Sequence, residues 1–197
     1  MTDPAQEPGH YSVHRYFGMA ECRIFSPDDR VELLDGLIVS MAAQSAPHAS
    51  TVHRVQTVLL RELGPDAVVR VQLPLLAGDT SAPEPDIAVV PGRAEDYFER
   101  HPSHANLIVE LAHSSVIQDR ITKSAIYARA GTPCYWIVNV RDRCVEAFRE
   151  PDRWKAEYAS AVRATGAHKL TIDAYPGVSF EAAHLLPPPE SDEDFQE

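Results

Sequence analysis

Apolar residues recur along this chain with two different periods. In "SAPHASTVHRVQTVLLREL" they fall at Val52, Val55, Val58, Leu59 and Leu63, the spacing of one helix face, and Gly64-Pro65 stops the run. "VELLDGLIVSM" predicts two short strands joined at Asp35-Gly36, a dipeptide suited to a hairpin turn. "AVVRVQLPLLAG" and "PDIAVV" read as further strands, and "NLIVELA" as a near-continuous apolar strand of the central-sheet kind. "SSVIQDRITKSAIYARAG" predicts a helix with Ser114 or Ser115 as its cap and Gly131 as its terminator. "CYWIVNV" and "RCVEAFRE" add two strands separated at Arg141-Asp142. "YSVHRYFGMAE" predicts a short helix near the start, and "RAEDYFERHPSHA" a polar, partly helical connector. The pattern weakens over 154–175, where Thr165-Gly166 suggests a further hairpin.

The order is hairpin, helix, strands, helix, strands. It predicts an α/β or α+β fold: one mixed central sheet flanked by helices, with an N-terminal hairpin. A helix between "NLIVELA" and "CYWIVNV" implies a right-handed crossover joining parallel neighbours. The 197 residues fit one domain over 11–186, preceded by a flexible lead over 1–10 and followed by an acidic disordered tail over 187–197.

Composition narrows the picture. Three cysteines, Cys22, Cys134 and Cys144, neither suggest a disulfide framework nor have paired metal spacing. No apolar run approaches the roughly 20 residues of a membrane helix, so no membrane partner is expected. The N-terminus lacks a basic start followed by an apolar stretch, which makes the cytoplasm the expected location. Net charge is −11, and the terminal "ESDEDFQE" carries five of the negative charges. That balance weighs mildly against nucleic acid as a partner, although it does not exclude a local basic groove.

The candidate chemistry lies in two of the strands. "APEPDIAVV" opens with Glu84 and Asp86, and "NLIVELA" carries Glu110 among Leu107, Ile108, Val109 and Leu111. A carboxylate in such a run is costly unless it is paired, faces a pocket or binds a cation. Adjacent strands would bring Asp86 and Glu110 together, and Mg²⁺ or Mn²⁺ suits two carboxylates plus water and a substrate phosphate. Lys123, on the helix after the second acid, could reach back to the same edge. Acid, acid, lysine and a divalent ion make a phosphodiester-hydrolysing site.

These pieces resemble the Uma2 family, restriction-endonuclease-like proteins of the PD-(D/E)XK nuclease superfamily. The resemblance runs from about Arg30 to Pro151, through "VELLDGLIVSM", "APH", "EPDIAVV", "LIVELAHSS", "QDRITKSAIYARAG" and "CYWIVNVRDRCVEAFREP", in that order. It implies a Mg²⁺- or Mn²⁺-dependent endonuclease acting on DNA, expected as a homodimer. Pro85-Asp86 matches the motif's "PD" and Glu110 its second acid. The motif's lysine position holds Ala112, and the "DRxxK" match moves the lysine to Lys123. Glu32 matches an early glutamate that completes the metal shell or holds a water. His48 matches a histidine at a helix start, placed at the pocket rim. Where the family has a serine after the acid segment, this chain has His113.

Each residue also has a plain structural reading. Glu84 is expected as a solvated strand end, and Asp86 after a proline can cap a turn. Lys123 can pair with Asp119 along its helix. Glu32 can point outward, His48 can be a capping histidine, and His53 is expected to face solvent. Gln72 fits either the site wall or an edge strand. Tyr127, Tyr135 and Trp136 are expected as core. The alternative function is a catalytically inactive nuclease-fold scaffold for binding or dimerisation.

Overall fold

The computed structural model describes residues 10–26, 28–112 and 119–188. Apart from His10, Pro187 and Pro188, the expected lead and tail lie outside the described residues, as do His113 and the Ser114/Ser115 cap.

A six-stranded mixed sheet organises the molecule. Its strands are β3 (Val68–Val71), β4 (Ile87–Val90), β5 (Leu107–Ala112), β6 (Cys134–Asn139), β7 (Cys144–Asp152) and β8 (Glu157–Ala164), lying in that order. Only β5 and β6 run parallel; every other neighbouring pair is antiparallel. The parallel pair needs a crossover, which ends in α3 (Ser124–Ala130). Gly131, at φ +80°, takes the left-handed position that closes this helix.

Alternation along β5 divides the core. Leu107, Val109 and Leu111 pack with the buried stripe of α2 (Ala46–Leu63), which includes Val52, Val55 and Leu59. Ile108 and Ala112 pack on the opposite face with Ile126 and Tyr127 of α3. Ser45 caps α2 by accepting from the His48 amide, and Gly64 ends it.

The predicted hairpin is β1 (Val31–Leu34) and β2 (Leu37–Ser40), a separate two-stranded sheet. Its turn residues, Asp35 at φ +46° and Gly36 at φ +81°, have the two positive angles a tight two-residue hairpin demands. An isolated bridge, Leu33 to Ala82, ties it to the segment before β4. The short helix α1 (Val13–Glu21) packs Tyr16 against it, the hydroxyl donating to the Val31 carbonyl. Arg129 of α3 holds the turn by an ion pair with Asp35.

Three expectations need correction. No hairpin folds at Thr165-Gly166: β8 is an eight-residue strand paired with β7, and the chain reverses at 153–156, where Ala156 takes φ +56°. Beyond Gly166, β9 (Lys169–Thr171) pairs with β10 (Ser179–Glu181), which leads into α4 (Ala182–Leu185). The strand expected over "AVVRVQLPLLAG" is four residues long, because Gln72 turns to φ +50° and leaves the ladder. The third helix begins, within the described residues, as a π turn at Asp119–Lys123 rather than as regular α-helix. Among the described residues no helix is long and apolar enough to cross a membrane.

Candidate active site

The antiparallel register of β4 and β5 pairs Ile87 with Val109. One step further along the same register, Asp86 stands opposite Glu110. Both residues are buried, at 9% and 3% exposure. Glu110 belongs to the β5 face that meets α3, where Lys123 and Tyr127 reach it from above. Its Oε1 accepts from Lys123 Nζ at 3.1 Å and from the Tyr127 hydroxyl at 2.7 Å. Its Oε2 has one long contact, 3.5 Å from the Asp86 amide.

Asp86 is held by three donors among the described residues. Its Oδ1 accepts from His48 Nε2 at 3.0 Å and from Gln72 Nε2 at 3.2 Å, and its Oδ2 from the Leu111 amide at 2.8 Å. The left-handed turn at Gln72 that shortens β3 is followed by this contact, and the Gln72 amide itself bonds the Pro85 and Asp86 carbonyls. His48 arrives from the first turn of α2.

Each carboxylate therefore has one oxygen occupied by two donors and one with room for another partner among the described residues, since a carboxylate oxygen accepts about two. The open pair is Asp86 Oδ2 and Glu110 Oε2.

Glu32, on β1, meets the ammonium from the other side: its Oε1 lies 3.4 Å from Lys123 Nζ, and its Oε2 accepts from the Glu84 amide at 3.1 Å. Glu32, expected to complete the metal shell or hold a water, has one oxygen beside the lysine and the other on the backbone. Glu84 is half-buried rather than solvated, and His53 is exposed, as expected.

The charges follow from burial and neighbours. Burial pushes Glu110 up to about 8; Lys123 pulls it down, and the nearby Asp86 charge adds to the rise. Burial would lower Lys123, but the charges of Glu110, Glu32 and Asp119 and the bond to Glu110 outweigh it and raise it above its ordinary value. Burial would raise Asp86, yet the hydrogen bond and charge of His48, with the Leu111 amide and Gln72, hold it below the carboxylate range. The bond to Asp86 raises His48 in turn.

The residues line a cleft of about 220 Å³ between the hairpin, the 41–45 segment, the start of α2 and the π turn. Sequence reasoning missed three participants. Tyr127, read as core, is fully buried yet bonded to Glu110. Asp119, read only as a partner for Lys123, is buried in the π turn and lines the cleft. Arg30 lines it too. A helical pattern with a tyrosine on its apolar stripe carries no signal that the hydroxyl finds a carboxylate.

The chain is similar to known proteins at two levels. The profile of the Uma2 family, described as "Putative restriction endonuclease", matches residues 15–183. A crystal structure described as "a putative nuclease belonging to DUF820", from Anabaena variabilis, shares the fold: TM-score 0.70 at 14% identity, covering 88% of this chain and 96% of that one. No curated protein matches.

Proposed function

The chain belongs to the Uma2 family, and from that premise we propose that it is a Mg²⁺- or Mn²⁺-dependent endonuclease hydrolysing phosphodiester bonds of DNA. The observation that carries the reading is the pair Asp86 and Glu110, set across the β4–β5 ladder with one oxygen open on each and an ammonium braced against the second acid.

Among the described residues no three His, Cys, Asp or Glu side chains form a ready-made cage for a metal. Mg²⁺ does not need one, because it keeps several waters and takes one or two carboxylates plus substrate phosphate. Two buried carboxylates with open oxygens fit that habit. Asp86 and Glu110 would hold the ion, and Glu32 brings Lys123 into place. When bound, the ion supplies Lewis acidity toward the phosphodiester and lowers the pKa of a water.

The chain's own residues do the rest. Lys123, kept charged by Glu110 and Glu32, orients the attacking water or meets the charge developing on the phosphate. Tyr127 fixes the Glu110 carboxylate in one orientation, as His48 and Gln72 fix Asp86. Fixed donors cost no reorganisation when the reaction occurs.

The alternative, a scaffold without activity, draws support from the −11 net charge. One experiment separates the two: Mg²⁺ and Mn²⁺ binding by calorimetry, with and without DNA, alongside plasmid nicking, on wild type and Asp86→Ala. Binding and nicking that both vanish in the variant are expected. A wild type that binds no metal even with DNA present would sink the nuclease reading.

A further inference from the structure

A phosphodiester is an anion, and the cleft that would receive it is lined by Glu32, Glu84, Asp86, Glu110 and Asp119. Among the described residues, three side chains in the lining can carry positive charge: Lys123, His48 and Arg30. Lys123 is spent on Glu110 and Glu32, and His48 on Asp86. Arg30 differs. It is exposed, and among the described residues its side chain makes no ion pair or hydrogen bond.

Its backbone is nonetheless fixed. The Arg30 carbonyl accepts from the Met41 amide at 2.8 Å, which closes the open end of the β1–β2 hairpin. Arg30 thus stands where the chain enters β1, beside the 41–45 segment that leads to α2. Its charge is felt on both sides of the opening, since it favours the ionised form of Glu84 and opposes protonation of His48. A guanidinium offers a planar fork of donors that matches a phosphate.

We propose that Arg30 is the phosphate anchor of the cleft, binding a nucleic-acid strand at the mouth so that a neighbouring phosphodiester lies over Asp86 and Glu110. This rests on the nuclease reading for its substrate class, but not for its geometry. Among the described cations of the lining, Arg30 alone can bind a phosphate without first giving up a carboxylate. In a cleft so rich in acids, that makes it the first contact of an incoming strand.

The test is fluorescence anisotropy with a short fluorescein-labelled DNA strand whose phosphorothioate backbone resists cleavage, in Mg²⁺ and over a range of salt. The variants are Arg30→Glu, Arg30→Lys and, as a charge-matched control, Lys155→Glu. Lys155 lies past the end of β7. Glu146 of β7 opposes Ile137, which opposes Glu110, and from Glu146 to Asp152 the strand runs about 20 Å at roughly 3.3 Å per residue.

Arg30→Glu is expected to weaken binding about tenfold and to flatten the salt slope by about one. Arg30→Lys should recover part of the affinity, and Lys155→Glu should stay within about twofold of wild type. Unchanged thermal midpoints would show that the variants fold. Equal weakening by Arg30→Glu and Lys155→Glu would overturn the anchor, because only bulk charge would be at work. So would unchanged binding in Arg30→Glu, or no binding in wild type. Nicking of unmodified plasmid keeps the two readings apart. A wild type that nicks DNA while Arg30→Glu binds as well as wild type overturns the anchor alone. A wild type that binds the strand through Arg30 but nicks with neither metal supports the anchor and overturns the nuclease.

Discussion

Glu110 carries a sharp electrostatic conflict, a buried carboxyl beside a buried ammonium and a second acid. Burial lifts it to about 8, from the 4.5 of an ordinary glutamate. The folded protein therefore holds this proton more tightly than the unfolded chain. The stability it contributes is full below about 4.5 and is lost as pH rises to about 8. His48, also raised, acts in the same direction. Asp86 is depressed and acts oppositely: its contribution is present above the ordinary 3.8 and lost as pH falls below it. The thermal midpoint should thus fall between pH 4.5 and 8, and Glu110→Gln should flatten the fall. An equal slope in the variant would assign the effect to another group. Mg²⁺ should reverse the trend in wild type, since a metal ligand must be deprotonated and stabilisation by a ligand grows with its affinity. Tyr127→Phe is a milder probe. Losing one hydrogen bond to a buried carboxylate should cost about 1–3 kcal/mol in chemical denaturation. Nicking should weaken as Glu110 loses its fixed orientation.

At the scale of elements, the hairpin is the part most dependent on one residue. Gly36 sits at φ +81°, and a Cβ there would meet His10 Nδ1 at 2.7 Å. Gly36→Ala should cost about 1–2 kcal/mol from the left-handed backbone alone, read from the urea midpoint. It should also depress nicking, because the hairpin carries Glu32 and with it the brace on Lys123. A stable variant with full nicking would show that Glu32 is held by other means. This hairpin was legible in the sequence because Asp-Gly between apolar runs specifies a local turn. So was α2, whose stripe of Val52, Val55, Val58 and Leu59 is the buried face. Edge strand β8 was not: "EYASAVRA" is mostly small or polar because most of its side chains are exposed, so it lacks the signal of a packed strand. The π turn was hidden as well, since apolar periodicity does not distinguish i+4 from i+5 bonding over five residues. The meeting of Asp86 with Glu110 could be read because both lie in short apolar runs that must pair. The engagement of Tyr127 and the siting of Arg30 depend on tertiary placement alone.

For the molecule as a whole, the two faces of the sheet divide the labour. The α2 face supplies the larger core, with Trp136 and Phe180 in edge-to-face contact, and it contributes one residue, His48, to the acid pair. The α3 face supplies the lysine, the tyrosine and the hairpin glutamate. The acid pair itself stands one step past Ile87 and Val109, the end pair of the β4–β5 ladder. That has a consequence for how such a site changes over evolutionary time. Residues 91–106, which join the two strands, can gain or lose length without moving Asp86 relative to Glu110, because a loop insertion leaves the register untouched. A single residue inserted within either strand would turn one acid to the opposite face. The sequence distance between the two acids is therefore free to drift, while their ladder position is not. Chains that share this site are better recognised by counting pairing steps across the sheet than by counting residues along the chain.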